Sequence, residues 1–423
     1  MRRTIVALLC IALAAGSLAG CGDNKDKKEV PVNTEAKAED KPNVESNRNP
    51  QQEEDKEDTK EDQKEDQKEE EKDNTDNSGQ NEDSQDAKDT EEENEADMSE
   101  DLTMTTLKNS AGTIDYTSLE GLDLEAGGHI AVVVKSTKTA YWATVKKGME
   151  AAVKDLNKKL EYKGDDKIKL SFEGPSDETD VESQINIIDA VLAENPGVLC
   201  LAAIDMESCQ AQLETAEENG IPVVVLDSGV VTGTVNTVCS TDNQAAGAEA
   251  AKKLSEAIGG SGEIAVMAHI ESSESSQDRE KGFADEIAAN HPGIKIVNIS
   301  YENEETSVKE MAAKVLEENP NLKGYFCTNQ ITADDVLDAL KEAGREDTAV
   351  VGFDAGKKQK EAIKDGRETG VIAQNPYGMG YATVVAAARA WLGLENDSFI
   401  NPGYQWIDAA CLDDEKLKNY LYE

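Results

Sequence analysis

From about residue 128 onward, short apolar runs alternate with stretches of helical periodicity. Apolar runs at 129–135, 167–173, 198–203, 222–227, 234–239, 263–269, 295–300, 324–328, 348–354 and 370–374 predict strands. The stretches between them, 142–160, 181–192, 208–219, 243–258, 278–290, 307–318, 333–343 and 377–392, predict helices. Several strand runs are apolar throughout (IAVVV, VVVL, IAVMA, AVVGF), the pattern of strands covered on both faces. Regular strand–helix alternation predicts parallel sheets with right-handed crossovers, so the fold class is α/β.

An internal repeat sharpens this into two similar doubly wound lobes. Glu194-Asn195-Pro196 precedes a strand, a helix ending at Gly220 and a strand ending in Asp227. Glu318-Asn319-Pro320 precedes a strand, a helix ending at Gly344 and a strand ending in Asp354. Ligands of open α/β sheets sit beyond the carboxyl ends of the strands. Two lobes facing each other would aim Asp227 and Asp354 into one cleft; the plainer alternative is that each caps the next helix or turn.

The first hundred residues follow other rules. Arg2 and Arg3 precede an apolar segment, residues 5–13, that is too short to span a bilayer. Leu18-Ala19-Gly20-Cys21 follows and resembles the lipobox of bacterial lipoproteins, which implies a signal peptide over 1–20 and a lipid on Cys21. Residues 22–100 hold 31 acidic and 12 basic side chains with almost no large apolar ones. Such a segment cannot bury enough surface to offset its ordering entropy, so 21–105 is expected to be the lipidated cysteine and a disordered acidic tether. No later run is long and apolar enough for a membrane span, so membrane attachment is expected through the lipid alone. The whole chain carries a formal charge of −44, which repels phosphate backbones and anionic lipids and excludes sequence-independent nucleic-acid binding.

The motifs at 221–227 (IPVVVLD), 241–247 (TDNQAAG), 279–283 (REKGF), 350–354 (VVGFD) and 372–376 (IAQNP) occur in order along this stretch. Together they resemble the type I periplasmic binding proteins of the ribose/galactose-binding family, the substrate-binding components of sugar ABC transporters. The same fold occurs in sugar-responsive repressors, but the lipobox and the lack of an N-terminal helix-turn-helix argue against that branch. The resemblance implies three hinge crossings, near 230–241, 374–376 and 402–406. Lobe one would then comprise 128–229 plus 377–401, and lobe two 241–373 plus 405–423. Ligand would close the hinge between them.

The resemblance also implies a set of ligand-binding residues. Tyr141 and Trp142, an adjacent pair in a chain with only 4% aromatics, match the loop whose rings stack on the sugar; core packing at a helix start is the alternative. Asp227 matches a hydroxyl acceptor on lobe one, and Asn329, Asp354 and Gln374 match amide and carboxylate positions on lobe two. Thr241 matches a small hydroxyl at the entry to lobe two, where Asp242 is read as the N-cap of the following helix. Gln277 stands where the family often has a binding arginine and can donate through its amide. Arg279 is read as a structural partner, and Lys135 as either a donor or a solvated loop lysine. Ser228 replaces a common arginine, and Ala202 and Ala203 stand near a common asparagine, so a cleft poor in cationic donors is expected.

Enzyme readings find no support: His129, His269 and His291 are scattered, and no nucleophile elbow or His-Glu-x-x-His is present. No Cys-x-x-Cys occurs, so neither a metal site nor a cofactor is expected. Cys200, Cys209, Cys239, Cys327 and Cys411 remain after the N-terminal cysteines, an odd set whose pairing stays open. The expected function is a lipid-anchored extracytoplasmic monomer that binds a neutral sugar, expected to be a monosaccharide, and delivers it to ABC permease subunits. Presentation of a sugar or furanose-like signal to a membrane kinase or chemoreceptor is the alternative.

Overall fold

The computed structural model describes residues 102–231 and 233–422; Cys21 and nearly all of the expected tether lie outside the described residues. The tether reading extends too far at its end, because the described chain begins with helix α1 (Leu102–Ser110). Met104 and Leu107 of α1, with Ala111, Tyr116, Leu122 and Leu124 beyond it, are buried in the core of lobe one. These residues are apolar but widely spaced among polar ones, so the pattern did not set them apart from the charged segment before them.

Lobe one continues through β1 (His129–Val133), α2 (Ala140–Lys159), β2 (Lys169–Glu173), α3 (Val181–Ala193), β3 (Val198–Leu201), α4 (Gln210–Glu218), β4 (Val223–Leu226) and β5 (Thr237–Cys239). Lobe two follows with α5 (Asn243–Ala257), β6 (Gly262–Ala268), α6 (Glu274–Asn290), β7 (Ile294–Tyr301), α7 (Val308–Glu318), β8 (Leu322–Cys327), α8 (Gln330–Glu342), β9 (Ala349–Phe353), α9 (Lys357–Lys364) and β10 (Gly370–Gln374). The chain then returns to lobe one for α10 (Pro376–Trp391) and β11 (Phe399–Ile400), and ends in lobe two with β12 (Tyr404–Ile407). Every predicted strand is present. The pattern missed α1 and α9, and also β11 and β12, which are too short or too mixed in polarity to stand out.

The two sheets share one order: β2-β1-β3-β4-β5-β11 and β7-β6-β8-β9-β10-β12. All pairings are parallel except β10 with β12. Central strands β3, β4 and β10 are buried along their whole length, whereas edge strand β2 is half-exposed, as helices on both faces require. The sheets exchange the chain at 240–242, at Asn375 and at 401–403. The first crossing is narrower than the expected 230–241, because Leu226 pairs with Cys239 and keeps β5 within the first sheet.

Close helix contacts recur in both lobes. A Cβ on Gly148 of α2 would come within 2.0 Å of Tyr377 O at the start of α10, and one on Gly380 of α10 within 2.0 Å of Val145 O. In lobe two, Gly247 of α5 and Gly282 of α6 meet Arg279 O and Gln244 O at 2.2 and 2.1 Å in the same way. Asn375, in the second crossing, donates through Nδ2 to Thr103 O of α1 and to Pro402 O of the third crossing, both at 2.8 Å. Among the described residues, no helix is long and apolar enough to cross a membrane. Cys200, Cys209, Cys239, Cys327 and Cys411 are free thiols, the first four of them buried.

Candidate functional site

The carboxyl ends of both sheets face one cavity of 180 Å³. Tyr141 and Trp142 reach it from the first turn of α2, where the Thr139 side chain caps the helix by accepting from Trp142 N. Their rings meet edge to face at 5.0 Å. The phenol of Tyr141 donates to Asp227 Oδ1 at 2.6 Å, and the Trp142 indole donates to Glu178 Oε1 at 2.9 Å. The aromatic pair therefore forms an apolar wall whose polar tips hold in place the buried Asp227 and the half-buried Glu178. Burial, reinforced by the charges of Asp227 and Asp354, pushes the Tyr141 hydroxyl far above its ordinary range, so it remains a donor.

Asp227 follows β4 and Asp354 follows β9, the fourth strand of each sheet in chain order. Both are buried and both have positive φ, 61° and 73°. That left-handed backbone is tolerated by Asp better than by most residues, and it turns the side chain off the strand end. Asp354 Oδ1 accepts from Gln374 Nε2 at 2.8 Å and Oδ2 from Gln330 N, the first residue of α8, at 3.1 Å. Asp354 thus holds the first amide of α8, the helix that precedes it and not the one that follows, and also lines the cavity. Its carboxyl is pushed up by burial, against the pull of Arg279.

Asn329 is the N-cap of α8, its Oδ1 accepting from Thr332 N at 2.9 Å, which leaves Nδ2 as the donor it can offer the cavity. Gln374 lies at the end of β10 with both ends of its amide engaged: Nε2 with Asp354, and Oε1 accepting from Thr241 Oγ1 at 2.8 Å. Thr241 is consequently behind the cavity wall and not in it; its hydroxyl fixes the orientation of Gln374. Asp242 caps α5 by accepting from Ala245 N at 3.0 Å, as its position suggests.

Gln277 does not reach the cavity. It is exposed and donates to Glu271 O at 2.7 Å, because Ser275, Ser276 and Arg279 occupy the cleft-facing side of α6. One step along a helix rotates a side chain by about 100°, enough to carry residue 277 out of that face. Arg279 is buried, stacks 3.8 Å over the Phe353 ring, and donates through Nε to Asn243 Oδ1 and through Nη1 to Thr328 O, each at 2.8 Å. It has the structural contacts expected of it and also lines the cavity.

The cavity holds more cationic character than the sequence suggested. Lys135 is buried, 3.9 Å from Asp227 Oδ2, and burial lowers its pKa while Asp227 opposes that shift. Glu178 and His269 were missed as site residues altogether. Glu178 sits in the loop after β2, and burial pushes its carboxyl up while His269 and Lys135 pull it down. His269 follows β6 directly; its Nδ1 lies 2.7 Å from Glu302 Oε2, and its buried Nε2 has no hydrogen-bond partner among the described residues. A carboxylate only accepts, so Nδ1 carries the proton and Nε2 presents a lone pair in the neutral ring. The strand-end rule that singled out the aspartates would have found His269; nothing in the sequence marked Glu178.

The lobes touch around the cleft. Lys135 Nζ donates to Ser273 Oγ at 2.9 Å, Met206 N to Ser272 O at 3.1 Å and Gly229 N to Glu274 Oε2 at 2.5 Å. The result is a cleft between the lobes with an apolar wall and a ring of acceptors and donors from both lobes. It suits a small ligand with many hydroxyl groups.

Comparison with known proteins agrees with this geometry. Residues 130–395 match the family model described as a periplasmic binding protein domain. The D-allose-binding periplasmic protein of Escherichia coli is 28% identical over 60% of this chain and 82% of its own length. An ABC transporter solute-binding protein from Agrobacterium vitis, solved with bound D-fucose, is 30% identical with a TM-score of 0.63, covering 70% of this chain and all of that one. A carbohydrate transporter solute-binding protein from Agrobacterium radiobacter, in complex with D-arabinose, is 26% identical with a TM-score of 0.64, covering 72% of this chain and all of that one.

Proposed function

Because the chain belongs to the periplasmic binding protein family, we propose that it is an extracytoplasmic solute-binding protein that captures a neutral monosaccharide by lobe closure and delivers it to an ABC permease. The observation that carries this reading is the pair Asp227 and Asp354: equivalent strand-end carboxylates, one per lobe, with matching backbone and a shared cavity. Each keeps acceptor capacity beyond its protein partners, since an ionised carboxylate offers about four lone-pair sites. Hydroxyl groups bridging them would be bound only when the lobes close, which is how a ligand shifts such an equilibrium.

Lys135 and Arg279 face Asp227, Asp354 and Glu178 in the cavity, so the positive groups are already matched by carboxylates. An anionic ligand would need uncommitted cationic donors to replace its hydration. The D-allose, D-fucose and D-arabinose named for the relatives are neutral, which supports the same ligand class. Attachment through a lipid on Cys21, with residues up to α1 as a spacer, completes the proposal. Ligand binding, not catalysis, is what this site does.

The test is a thermal-shift screen followed by calorimetry over D-allose, D-fucose, D-arabinose, D-ribose and their phosphate esters. Stabilisation by one or more neutral sugars is expected. Tight binding of a sugar phosphate, with none of the neutral sugars, would overturn the reading.

A further inference from the structure

The C-terminal segment makes a contact between the lobes that is separate from the hinge. After β12 the chain folds onto lobe two, where Leu412, Leu417 and Tyr420 are buried with Val371, Ala373 and Ile407 of its sheet. Two residues later, Tyr422 leaves that cluster and is buried in the core of lobe one. Its backbone N donates to Ala355 O at 3.3 Å, and its hydroxyl accepts from Ala355 N at 3.2 Å. Its ring meets the ring of Tyr141 edge to face, 5.9 Å between centroids. Ala355 follows Asp354 on lobe two, and Tyr141 is the donor to Asp227 on lobe one.

We propose that Tyr422 is a positioning residue and latch: it is fastened to the Asp354 turn, braces the ring that orients Asp227, and joins the two only when the cleft is closed. The proposal rests on the ligand-binding reading of the cleft and adds a determinant outside it, since Tyr422 does not line the cavity. Its chemistry is suited to the role. The hydroxyl satisfies the amide immediately after a left-handed residue, where the backbone has few other partners. The ring supplies an aromatic contact that has to break or slide when Tyr141 and Ala355 separate with their lobes. Asp354 and Glu178, one from each lobe, both act electrostatically on its phenol, which places Tyr422 between the two halves of the site.

The experiment compares the full chain with Tyr422→Phe and Tyr422→Ala. Spin labels on unnatural amino acids at Glu217 and Glu317, exposed positions on α4 and α7, report the lobe–lobe distance without ligand. The distribution is expected to move to longer distances in Tyr422→Ala and part of the way in Tyr422→Phe, which keeps the ring and loses the hydroxyl. Calorimetry with D-allose, D-fucose and D-arabinose is expected to show roughly 2- to 12-fold weaker binding for Tyr422→Ala, the range an aromatic pair supports, with partial recovery in Tyr422→Phe. A faster dissociation rate with an unchanged association rate is the kinetic form of the same effect. Identical distance distributions in wild type and Tyr422→Phe, and in Tyr422→Ala if it folds, would overturn the latch. Failure of the wild type to bind any of the sugars would overturn the ligand reading instead, and the ligand-free distances would still decide the latch.

Discussion

Asp227 and Asp354 occupy the same place in their respective sheets and adopt the same left-handed backbone, with φ of 61° and 73°. Two independent strained positions at equivalent strand ends are economically explained by one shared task, since such conformations persist where the surroundings enforce them. Asn tolerates positive φ about as well as Asp, so Asp227→Asn and Asp354→Asn remove charge without adding backbone strain. Each is expected to weaken monosaccharide binding by ~10- to 150-fold, corresponding to about 1.5–3 kcal/mol for hydrogen bonds to a charged acceptor. Calorimetry checks this; unchanged affinity in both variants with intact folding would reduce the aspartates to turn caps.

His269 lines the cavity, with Nδ1 held by Glu302 and a buried Nε2 that has no hydrogen-bond partner among the described residues. His269→Ala should lower affinity by roughly 2- to 12-fold, the range of a neutral hydrogen bond of about 0.5–1.5 kcal/mol. Glu302→Gln should cause a smaller loss, because the amide can accept at Nδ1–H without enforcing one ring orientation. Equal affinity of all three proteins would show that Nε2 does not meet the ligand.

Buried acids in lobe two set a pH dependence of stability. Burial pushes Asp334 up to about 6, against Lys358, and pushes Glu368 well above the carboxylate range, against a hydrogen bond from Gln359. Acids whose pKa is raised by folding contribute stability that is fully present below their unfolded value and lost as pH rises through the folded one. Glu368→Gln keeps the shape and removes the charge. Its Tm relative to wild type should therefore be near parity at pH 4 and increasingly favourable from pH 6 to 8, as differential scanning calorimetry would show. A Tm difference that is flat with pH would mean the acid is not strained by burial.

The glycine contacts between helices predict a packing penalty in both lobes. Gly148→Ala and Gly282→Ala place a methyl within 2.0 and 2.1 Å of backbone oxygens, which side-chain motion cannot relieve. Each should cost about 1–3 kcal/mol by overpacking, read as a lower Tm with the folded spectrum retained. Wild-type Tm in both variants would indicate that the helices separate freely.

Cys21→Ser should shift the protein out of the membrane fraction or leave an uncleaved precursor, with ligand affinity unaltered. Recovery of a processed, detergent-requiring variant would contradict lipid attachment at this residue.

The fold was legible because its signals are local. Fully apolar strands, helical periodicity and the repeated Asn-Pro and Asp positions needed no tertiary information. The same logic located Asp227 and Asp354, the first residues beyond β4 and β9, whereas Gln374 at the end of β10 and Asn329 two residues beyond β8 came from the family resemblance. Errors came where position along the chain stands in poorly for direction in space. Gln277 is two residues from Arg279 yet faces solvent, and Thr241 lies in the first crossing yet bonds to Gln374 from behind the cavity wall. Glu178 lies in a loop, and only the fold of that loop brings it to the Trp142 indole.

The return of the chain to lobe one has a consequence for how the protein is made. Helix α10 covers α2 and the first sheet, but it is synthesised only after the whole of lobe two's contiguous part, residues 243–374. Until then the glycine face of α2 has no partner and one side of β3 and β4 is bare. Lobe two waits in turn for β12. Neither half is a finished folding unit during synthesis, so long-range closure should make folding slow and leave apolar surface exposed on the way. A nascent chain of this design is expected to stay open to premature association until α10 and β12 have emerged.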